Sequence, residues 1–190
     1  MWNIYNHPPQ ELWAWSQMFS EEECVNLINE ITTNHKMEQA KLWQGEDESY
    51  RRSNIYFLES SNPAWEEIYR RVTDVLIDVN QRFFRYEISR IQDLQFTMYD
   101  SKENHFYGMH MDTIQEESLP RKLSFSCQLS DPTTYEGGDF NIFTSKYPTT
   151  VERKRGLSCF FNSYLMHEVT PVTSGTRYSL VGWVDGPPFK

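Results

Sequence analysis

Two histidines and one aspartate are the side chains of this sequence best suited to binding a metal ion. His110 and Asp112 are separated by one residue, and His167 stands further along the chain. On a β-strand, residues i and i+2 point to the same side, so His110 and Asp112 would project together. Two imidazoles and a carboxylate on one face leave open positions around a divalent transition metal. The three residues are therefore a candidate metal site.

A polar pair downstream of His167 extends this pattern. Arg177 and Ser179 flank Tyr178, and on a strand they would share one face. The elements of the chain must therefore bring two histidines, one carboxylate, an arginine and a serine to one place.

Two helices are expected in the first half of the chain. Ser20 and Glu23 form a capping-box signature before apolar residues at helical spacing, which predicts a helix at about 21–34. Asn62 and Pro63 open a second helix, because proline is favoured at the first helical position. Its buried stripe is expected to be Trp65, Ile68, Tyr69, Val72, Leu76, Val79 and Phe83.

The second half of the chain is patterned as strands. Apolar and polar residues alternate over 94–99, 123–129 and 177–184. Further strands are expected at 54–58, 139–143, 156–162 and 167–169. Short alternating strands joined by Gly, Pro and Asp turns are typical of an all-β sandwich or barrel, here with two helices covering one sheet. Residues 1–19 are expected to be irregular, with their aromatic side chains packed on the body of the fold.

The polar faces of these strands are unusual for a solvent-facing surface. They carry neutral or functional side chains in place of Lys and Glu, and this composition predicts a pocket for a polar ligand. The residues concerned are Thr97, Tyr99, Ser126, Gln128, Arg177 and Ser179. A solvated face is the alternative interpretation.

Length and composition restrict the remaining possibilities. A chain of 190 residues is most simply one domain, here 1–190, with 15% aromatic residues to fill a core. The net charge of −9 argues against binding to nucleic acid or to an anionic membrane. Three widely spaced cysteines give no disulfide framework, and no secretory signal or membrane-length apolar run is visible. A cytoplasmic location is expected.

The constellation resembles the motif set of the iron(II)- and 2-oxoglutarate-dependent dioxygenases, and more narrowly their prolyl-4-hydroxylase-like branch. The motifs are His110-x-Asp112, the distal His167 and Arg177-x-Ser179. The supporting segments are 96–99, 106–112, 123–129, 135–140, 167–172 and 175–183. The resemblance is strong over about 90–185 and looser before it.

The resemblance implies a double-stranded β-helix, or jelly roll, in which helices within 1–90 support a core at 91–185. It also implies iron(II), 2-oxoglutarate and dioxygen as cofactor and co-substrates, with ascorbate as a supporting reductant. In this family His110, Asp112 and His167 would be iron ligands, and Arg177 would pair with the distal carboxylate of 2-oxoglutarate. Co-substrate roles are also implied for Ser179, Tyr99 and Gln128. Gln128 departs from the family pattern, because a related branch carries Tyr there.

The resulting expectation is a hydroxylase of an aliphatic C–H bond, with a prolyl residue of a peptide or protein as the leading substrate. Hydroxylation of a free amino acid or another small metabolite is a second possibility. A cupin-like metal-binding jelly roll without oxygenase activity is a third, which Arg177 disfavours. Halogenation is disfavoured because Asp112 occupies the position that related halogenases leave free for halide. The oligomeric state is left open.

Several other residues have a structural interpretation beside a functional one. His105 is expected on the surface or in a loop, Asp139 to be structural, and Trp183 to belong to the core. Arg51 and Arg52 either contact substrate or are solvated. Gly137 and Gly138 are expected to form a turn with positive φ. Loops at 36–50, 100–109 and 113–121 are expected to fold over substrate.

Overall fold

The architecture is that of two antiparallel β-sheets packed face to face, with two helices on the outer side of the larger one. It is defined by a computed structural model that describes residues 10–40, 49–113 and 119–188. Parts of two expected lid loops, 41–48 and 114–118, lie outside the described residues. Among the helices described, none combines the length and apolar character needed to cross a bilayer.

The helices are α1 (Glu21–Asn34) and α2 (Glu66–Val79). The strands are β1 (Trp13–Gln17), β2 (Glu38–Gln39), β3 (Arg51–Arg52), β4 (Asn54–Leu58), β5 (Arg90–Ile91), β6 (Leu94–Asp100), β7 (Phe106–His110), β8 (Arg121–Gln128), β9 (Tyr135–Gly137), β10 (Phe140–Phe143), β11 (Thr149–Thr150), β12 (Leu157–Asn162), β13 (Met166–Val169) and β14 (Val172–Asp185).

The larger sheet has the strand order β1-β12-β8-β14-β6-β4-β2, and β5 and β9 also pair with β14. The smaller sheet has the order β11-β10-β13-β7-β3. Strands that are distant in sequence are neighbours in both sheets, as a jelly roll requires. This arrangement confirms the predicted mainly β fold with helices packed on one sheet.

Both helices begin where the sequence predicts. Ser20 caps α1 by accepting a hydrogen bond from the backbone N–H of Glu23, whose carboxylate accepts from the N–H of Ser20 in return. Asn62 caps a short 3-10 turn at Pro63–Trp65 that leads into α2. The helix continues through a π turn at Asn80–Phe84.

The alternation in the strands separates two cores. Apolar residues on one face of β6, β8 and β14 pack against α1 and α2 in a large core. Representative members are Leu27, Val72, Phe96, Phe125 and Leu180. A smaller core between the two sheets contains Tyr99, Phe140, Ile142 and Phe161. The inner face of the larger sheet therefore borders both this small core and the polar residues singled out in the sequence.

Two expectations about loops are wrong. Trp13–Gln17 is not irregular but forms edge strand β1, which pairs with β12 from Trp13 opposite Phe161 to Gln17 opposite Leu157. The segment 100–109 is not an open loop either, because most of it is a 3-10 turn followed by β7. Both segments have pairing partners far along the chain.

Substituting Gly182 tests the packing of the strand that carries Arg177 and Ser179. A Cβ at Gly182 would lie 2.5 Å from Cε1 of Phe125 and 2.8 Å from Cδ2 of Leu94, both in the large core. Gly182→Ala is therefore expected to lower the free energy of unfolding by about 1–3 kcal/mol, as overpacking does. Urea unfolding measures the change. Thr173→Ala, at an exposed position of the same strand, is the control. A Gly182→Ala protein as stable as this control would contradict the packing described.

Candidate active site

His110 and His167 face each other on neighbouring strands of the smaller sheet. They are paired directly in the register between β7 and β13, and their ring centroids are 4.1 Å apart. Each Nδ1 is hydrogen-bonded to the carbonyl oxygen two residues earlier, of Gly108 at 2.7 Å and of Leu165 at 2.9 Å. These bonds assign the proton of each neutral ring to Nδ1. Both Nε2 lone pairs are then available to a metal.

Asp112 completes the cluster from the segment after β7. Its backbone N–H donates to the carbonyl of Ser163 at 2.9 Å, which fixes the chain where it leaves the strand. Its Oδ1 lies 3.8 Å from His110 Nε2, and its Oδ2 lies 3.5 Å from His167 Nε2. One ligand atom from each of the three residues lies within 4.8 Å of the others. The i, i+2 spacing thus brings His110 and Asp112 to one side, as predicted.

Two buried serines lie beside Asp112. Ser124 on β8 lies near Asp112, where its hydroxyl group lowers the pKa of the carboxyl, and its Oγ is 2.9 Å from Oγ of Ser163. Ser124 and Ser163 are both fully buried. The Ser124 hydroxyl group, which is paired with Ser163, therefore favours the charged form of the carboxylate. Nothing in the sequence pattern marks these two serines, because their partner lies on another strand.

Burial and mutual charge set the protonation state of the cluster. Burial lowers the pKa of His110 to about 4, with a further decrease from His167, because the protonated ring loses its hydration. Burial acting alone would raise the pKa of Asp112, but the two histidines and Ser124 hold it below its ordinary value. At neutral pH the cluster therefore presents a neutral His110 ring and a carboxylate.

Arg177, Ser179 and Tyr99 lie on the inner face of the larger sheet. Arg177 pairs with Tyr99 across β14 and β6, and all three side chains are buried. Arg177 Nη1 donates to Ser179 Oγ at 3.5 Å, and its Cζ is 5.5 Å from the centre of the Tyr99 ring. Burial raises the pKa of Tyr99, so its hydroxyl stays neutral. Within the described ranges, no carboxylate pairs with the Arg177 guanidinium.

Gln128 is on the same inner face but is already engaged. It lies beside Ser179 in the register, and its Nε2 donates to the carbonyl of Ser130 at 3.2 Å and to the hydroxyl of Tyr135 at 3.0 Å. Its amide oxygen is the atom left for a further contact. The role expected for Gln128 in co-substrate binding stays a prediction.

The predicted glycine turn packs against Arg177. Gly137 and Gly138 have φ of +69° and +63°, as expected for the turn between β9 and β10. A Cβ at Gly138 would lie 3.0 Å from Cδ of Arg177 and 2.8 Å from Cγ2 of Val172. The absence of a side chain at Gly138 therefore leaves room for the arginine.

A cavity of about 1220 Å³ opens on the metal cluster. Its lining contains all three metal-site residues together with Tyr99, Ser126 and Ser179. A small recess next to it shares Ser126 and Phe140 and contains Arg177 and Gln128. The cluster and the polar face of the larger sheet thus border adjacent spaces.

The cavity also has lining residues beyond the six polar positions predicted for the pocket. Trp183 was expected in the core but lines the cavity, beneath the guanidinium of Arg121 at 4.4 Å. Arg121 also donates to Gln92 Oε1 from Nε and Nη2. Arg51 lines the cavity and is 8% exposed. These residues come from short strands or strand ends, where periodicity is uninformative.

Other candidates lie away from the cluster. His105 was expected on the surface or in a loop, and it lies in the loop before β7 but is buried. Its Nδ1 accepts from the backbone N–H of Asp100, and its Nε2 contacts Glu103. Asp139 is structural, as predicted, and pairs with Arg153 at 2.6 Å.

The donor set fits a divalent transition metal. Two imidazole nitrogens and one carboxylate converge on one point from one side, which is the arrangement of the facial triad of non-haem iron(II) oxygenases. The opposite side faces the cavity, so further ligands can reach the same point. No thiol lies in this cluster, and an oxygen- and nitrogen-only set suits iron(II).

Comparison with known families agrees with this geometry. Residues 94–185 match the model of the 2OG-Fe(II) oxygenase superfamily. The matched range runs from the first residue of β6 to the last residue of β14. It therefore contains the metal cluster and the polar face around Arg177.

The first curated relatives that the chain matches are PKHD-type hydroxylases. A PKHD-type hydroxylase of Prochlorococcus marinus is 38% identical over 84 residues, which are 44% of this chain and 38% of that protein. The chain spans 36–39% of the length of the first four curated relatives that it matches, all named PKHD-type hydroxylases.

Solved structures share the whole architecture. A Pseudomonas putida prolyl-4-hydroxylase has a TM-score of 0.75 at 19% identity, over 93% of this chain and 94% of that one. A prolyl hydroxylase from Trichoplax adhaerens, in complex with a hypoxia inducible factor oxygen degradation domain peptide fragment, has a TM-score of 0.75 at 15% identity, over 92% and 84%. At these identities the likeness establishes a shared fold.

Removing the hydroxyl group of Ser124 tests how the carboxylate is held. Ser124→Ala leaves the three metal-binding side chains in place but removes the hydroxyl group that favours the charged form of Asp112. We expect metal affinity to fall about 10–100-fold, as loss of a residue supporting a ligand typically produces. Titration with Mn²⁺, followed by electron paramagnetic resonance, measures the affinity.

Ser158→Ala is the matched control, because Ser158 is equally buried but contacts Met18 instead of the cluster. Its metal affinity should stay that of the parent protein. Equal affinities in both variants and the parent would show that Ser124 does not support the ligand.

Proposed function

We propose that the chain is a prolyl-4-hydroxylase-like member of the 2OG-Fe(II) oxygenases. It binds iron(II) through His110, Asp112 and His167 and hydroxylates an aliphatic C–H bond, with 2-oxoglutarate as co-substrate. A prolyl residue of a peptide or protein is the leading substrate. The observation that carries the proposal is the convergence of the three ligands opposite a buried arginine that has no carboxylate partner in the described ranges.

Iron(II), 2-oxoglutarate and dioxygen would supply an oxidation in which the keto acid becomes succinate and carbon dioxide and one oxygen atom enters the substrate. The protein holds the components and keeps the reaction dry. His110, Asp112 and His167 would occupy one side of the metal and leave the side facing the cavity to the co-substrates.

Arg177 and Ser179 would bind the distal carboxylate of 2-oxoglutarate. A guanidinium matches a carboxylate with two parallel hydrogen bonds, and the neighbouring serine hydroxyl adds a third donor. Tyr99 would contribute a neutral hydroxyl beside them. Because Arg177 is 3% exposed, an anion bound there is shielded from water and the pair is correspondingly strong.

Two further parts of the proposal concern setting and reductant. A cytoplasmic location is supported by three free, buried cysteines, Cys24, Cys127 and Cys159, which suit a reducing compartment. Ascorbate would act as a supporting reductant for the iron. The competing cupin-like interpretation has no need for a buried arginine beside the metal cavity.

The proposed reaction is tested by incubating the protein with iron(II), 2-oxoglutarate, ascorbate and a set of proline-containing peptides. We expect release of succinate, and a mass gain of one oxygen atom that fragmentation assigns to proline. Oxygen on a different residue or on a free amino acid would replace the substrate assignment. If no succinate is released, either in the presence of the peptides or in their absence, the proposed oxygenase activity is contradicted.

Arg177→Ala separates co-substrate binding from metal binding. It leaves the metal ligands intact but removes the partner of a buried carboxylate, which typically costs about 3–5 kcal/mol. Affinity for 2-oxoglutarate should therefore fall by about two to four orders of magnitude, with Mn²⁺ affinity unchanged. Arg177→Lys should recover part of the loss, since an ammonium cannot make the forked pair.

Calorimetric titration of 2-oxoglutarate into Mn²⁺-loaded variants measures the effect. His110→Ala is the contrasting variant, because it should lose affinity for the metal first. If Arg177→Ala binds 2-oxoglutarate as tightly as the parent, the co-substrate assignment is wrong and the cupin-like interpretation is favoured.

A further inference from the structure

A second buried guanidinium faces the metal cavity. Arg51 is 8% exposed and lines the cavity beside Tyr99, Tyr107 and His110. Its Cζ lies 4.4 Å from the centre of the Tyr107 ring, which stacks on the imidazole of His110 at 3.6 Å and 16°. One aromatic ring therefore separates this cation from a metal ligand.

Within the part of the chain that the structure describes, Arg51 has little to compensate its charge. Its Nε donates to Ser53 Oγ at 3.1 Å, and among residues 10–40, 49–113 and 119–188 no carboxylate pairs with it. Its terminal nitrogens have no hydrogen-bond acceptor in those same ranges. A buried charge without a partner is costly, so a site that keeps one has a use for it.

Arg51 and Arg177 occupy different places. Arg177 lies in the recess behind Ser126 and Phe140, next to Ser179. Arg51 instead borders the main cavity, on strand β3 of the opposite sheet. One 2-oxoglutarate molecule that joins the metal to Arg177 would therefore leave Arg51 unpaired.

The net charge of the loaded site favours the binding of a second anion. A divalent metal, the Asp112 carboxylate, dianionic 2-oxoglutarate and Arg177 together are neutral. Arg121 and Asp93, which also line the cavity, carry opposite charges. The positive charge of Arg51 then remains in the loaded site, where a low dielectric makes it a strong attractor for an anion.

We propose that Arg51 binds a carboxylate of the primary substrate, so that the substrate is an acid whose carboxylate lies close to the reacting carbon. This rests on the proposed function and narrows its substrate class. With Nε held by Ser53, the terminal nitrogens offer a forked donor pair that fits a carboxylate. A free amino acid, a prolyl residue at a chain end or an acidic side chain beside the proline provides that group. An internal prolyl residue of a neutral peptide does not.

Matched acids and amides test the proposal by binding, without turnover. The protein is loaded with Mn²⁺ and 2-oxoglutarate and titrated calorimetrically with three matched pairs of compounds. The pairs are L-proline with L-prolinamide, acetyl-alanyl-proline with its amide, and an acetyl-Ala-Pro-Asp amide with its Asn counterpart. The pair that binds identifies the source of the carboxylate. We expect the acid of at least one pair to bind about 10–100-fold more tightly than its neutral partner, as a charged hydrogen bond provides.

Variants assign the effect to Arg51. Arg51→Ala should remove the preference for the acid and leave the affinities for Mn²⁺ and 2-oxoglutarate unchanged, and Arg51→Lys should keep part of the preference. Arg51→Gln, which retains bulk over Tyr107, gives the same information where the alanine variant does not fold. Arg52→Ala is the control, since Arg52 lies against Phe106 and does not line the cavity.

Three results would overturn the proposal: equal binding of acids and amides, no binding of any acid, or a loss of 2-oxoglutarate affinity in Arg51→Ala. The last would assign Arg51 to the co-substrate. Failure of the parent protein to bind Mn²⁺ and 2-oxoglutarate at all would instead contradict the proposed function.

Discussion

The pairing of His110 with His167 across two antiparallel strands is the constraint on which the site depends. It places two imidazoles 4.1 Å apart, and each ring is held by the carbonyl two residues before it. Neither bond depends on a mobile side chain. Because the backbone that forms the sheet also orients the rings, a shift of the register by one residue would turn a ligand to the other face and abolish the cluster.

Burial around this pair explains the chemistry that the cavity can support. The same desolvation keeps His110 neutral and strengthens the electrostatic interactions of Asp112, Arg177 and Arg51, because little water screens their charges. The large core against α1 and α2 lies on the other face of the sheet that carries Arg177. The apolar residues of each strand thus stabilise the fold, and their polar neighbours are left free to form the site.

The sequence was informative where local patterns are regular. Period-two alternation predicted which residues of β6, β8 and β14 face inward, and the caps at Ser20 and Asn62 predicted where the helical segments begin. It was uninformative where a residue depends on a distant partner. Edge strand β1 is defined by pairing with β12, and the two residues of β3 are too few for any period. Ser124 was therefore missed, and the sequence left open whether Arg51 contacts substrate or is solvated. Only the assembled sheets place Ser124 near Asp112 and Arg51 at the cavity.

X-ray absorption spectroscopy of the iron(II)-loaded protein tests whether His110, Asp112 and His167 hold the metal. We expect a six-coordinate shell with two imidazole ligands, at metal–nitrogen distances of about 2.0–2.2 Å. One imidazole should disappear in His110→Ala. A spectrum without imidazole scattering, or one that His110→Ala leaves unchanged, would contradict it.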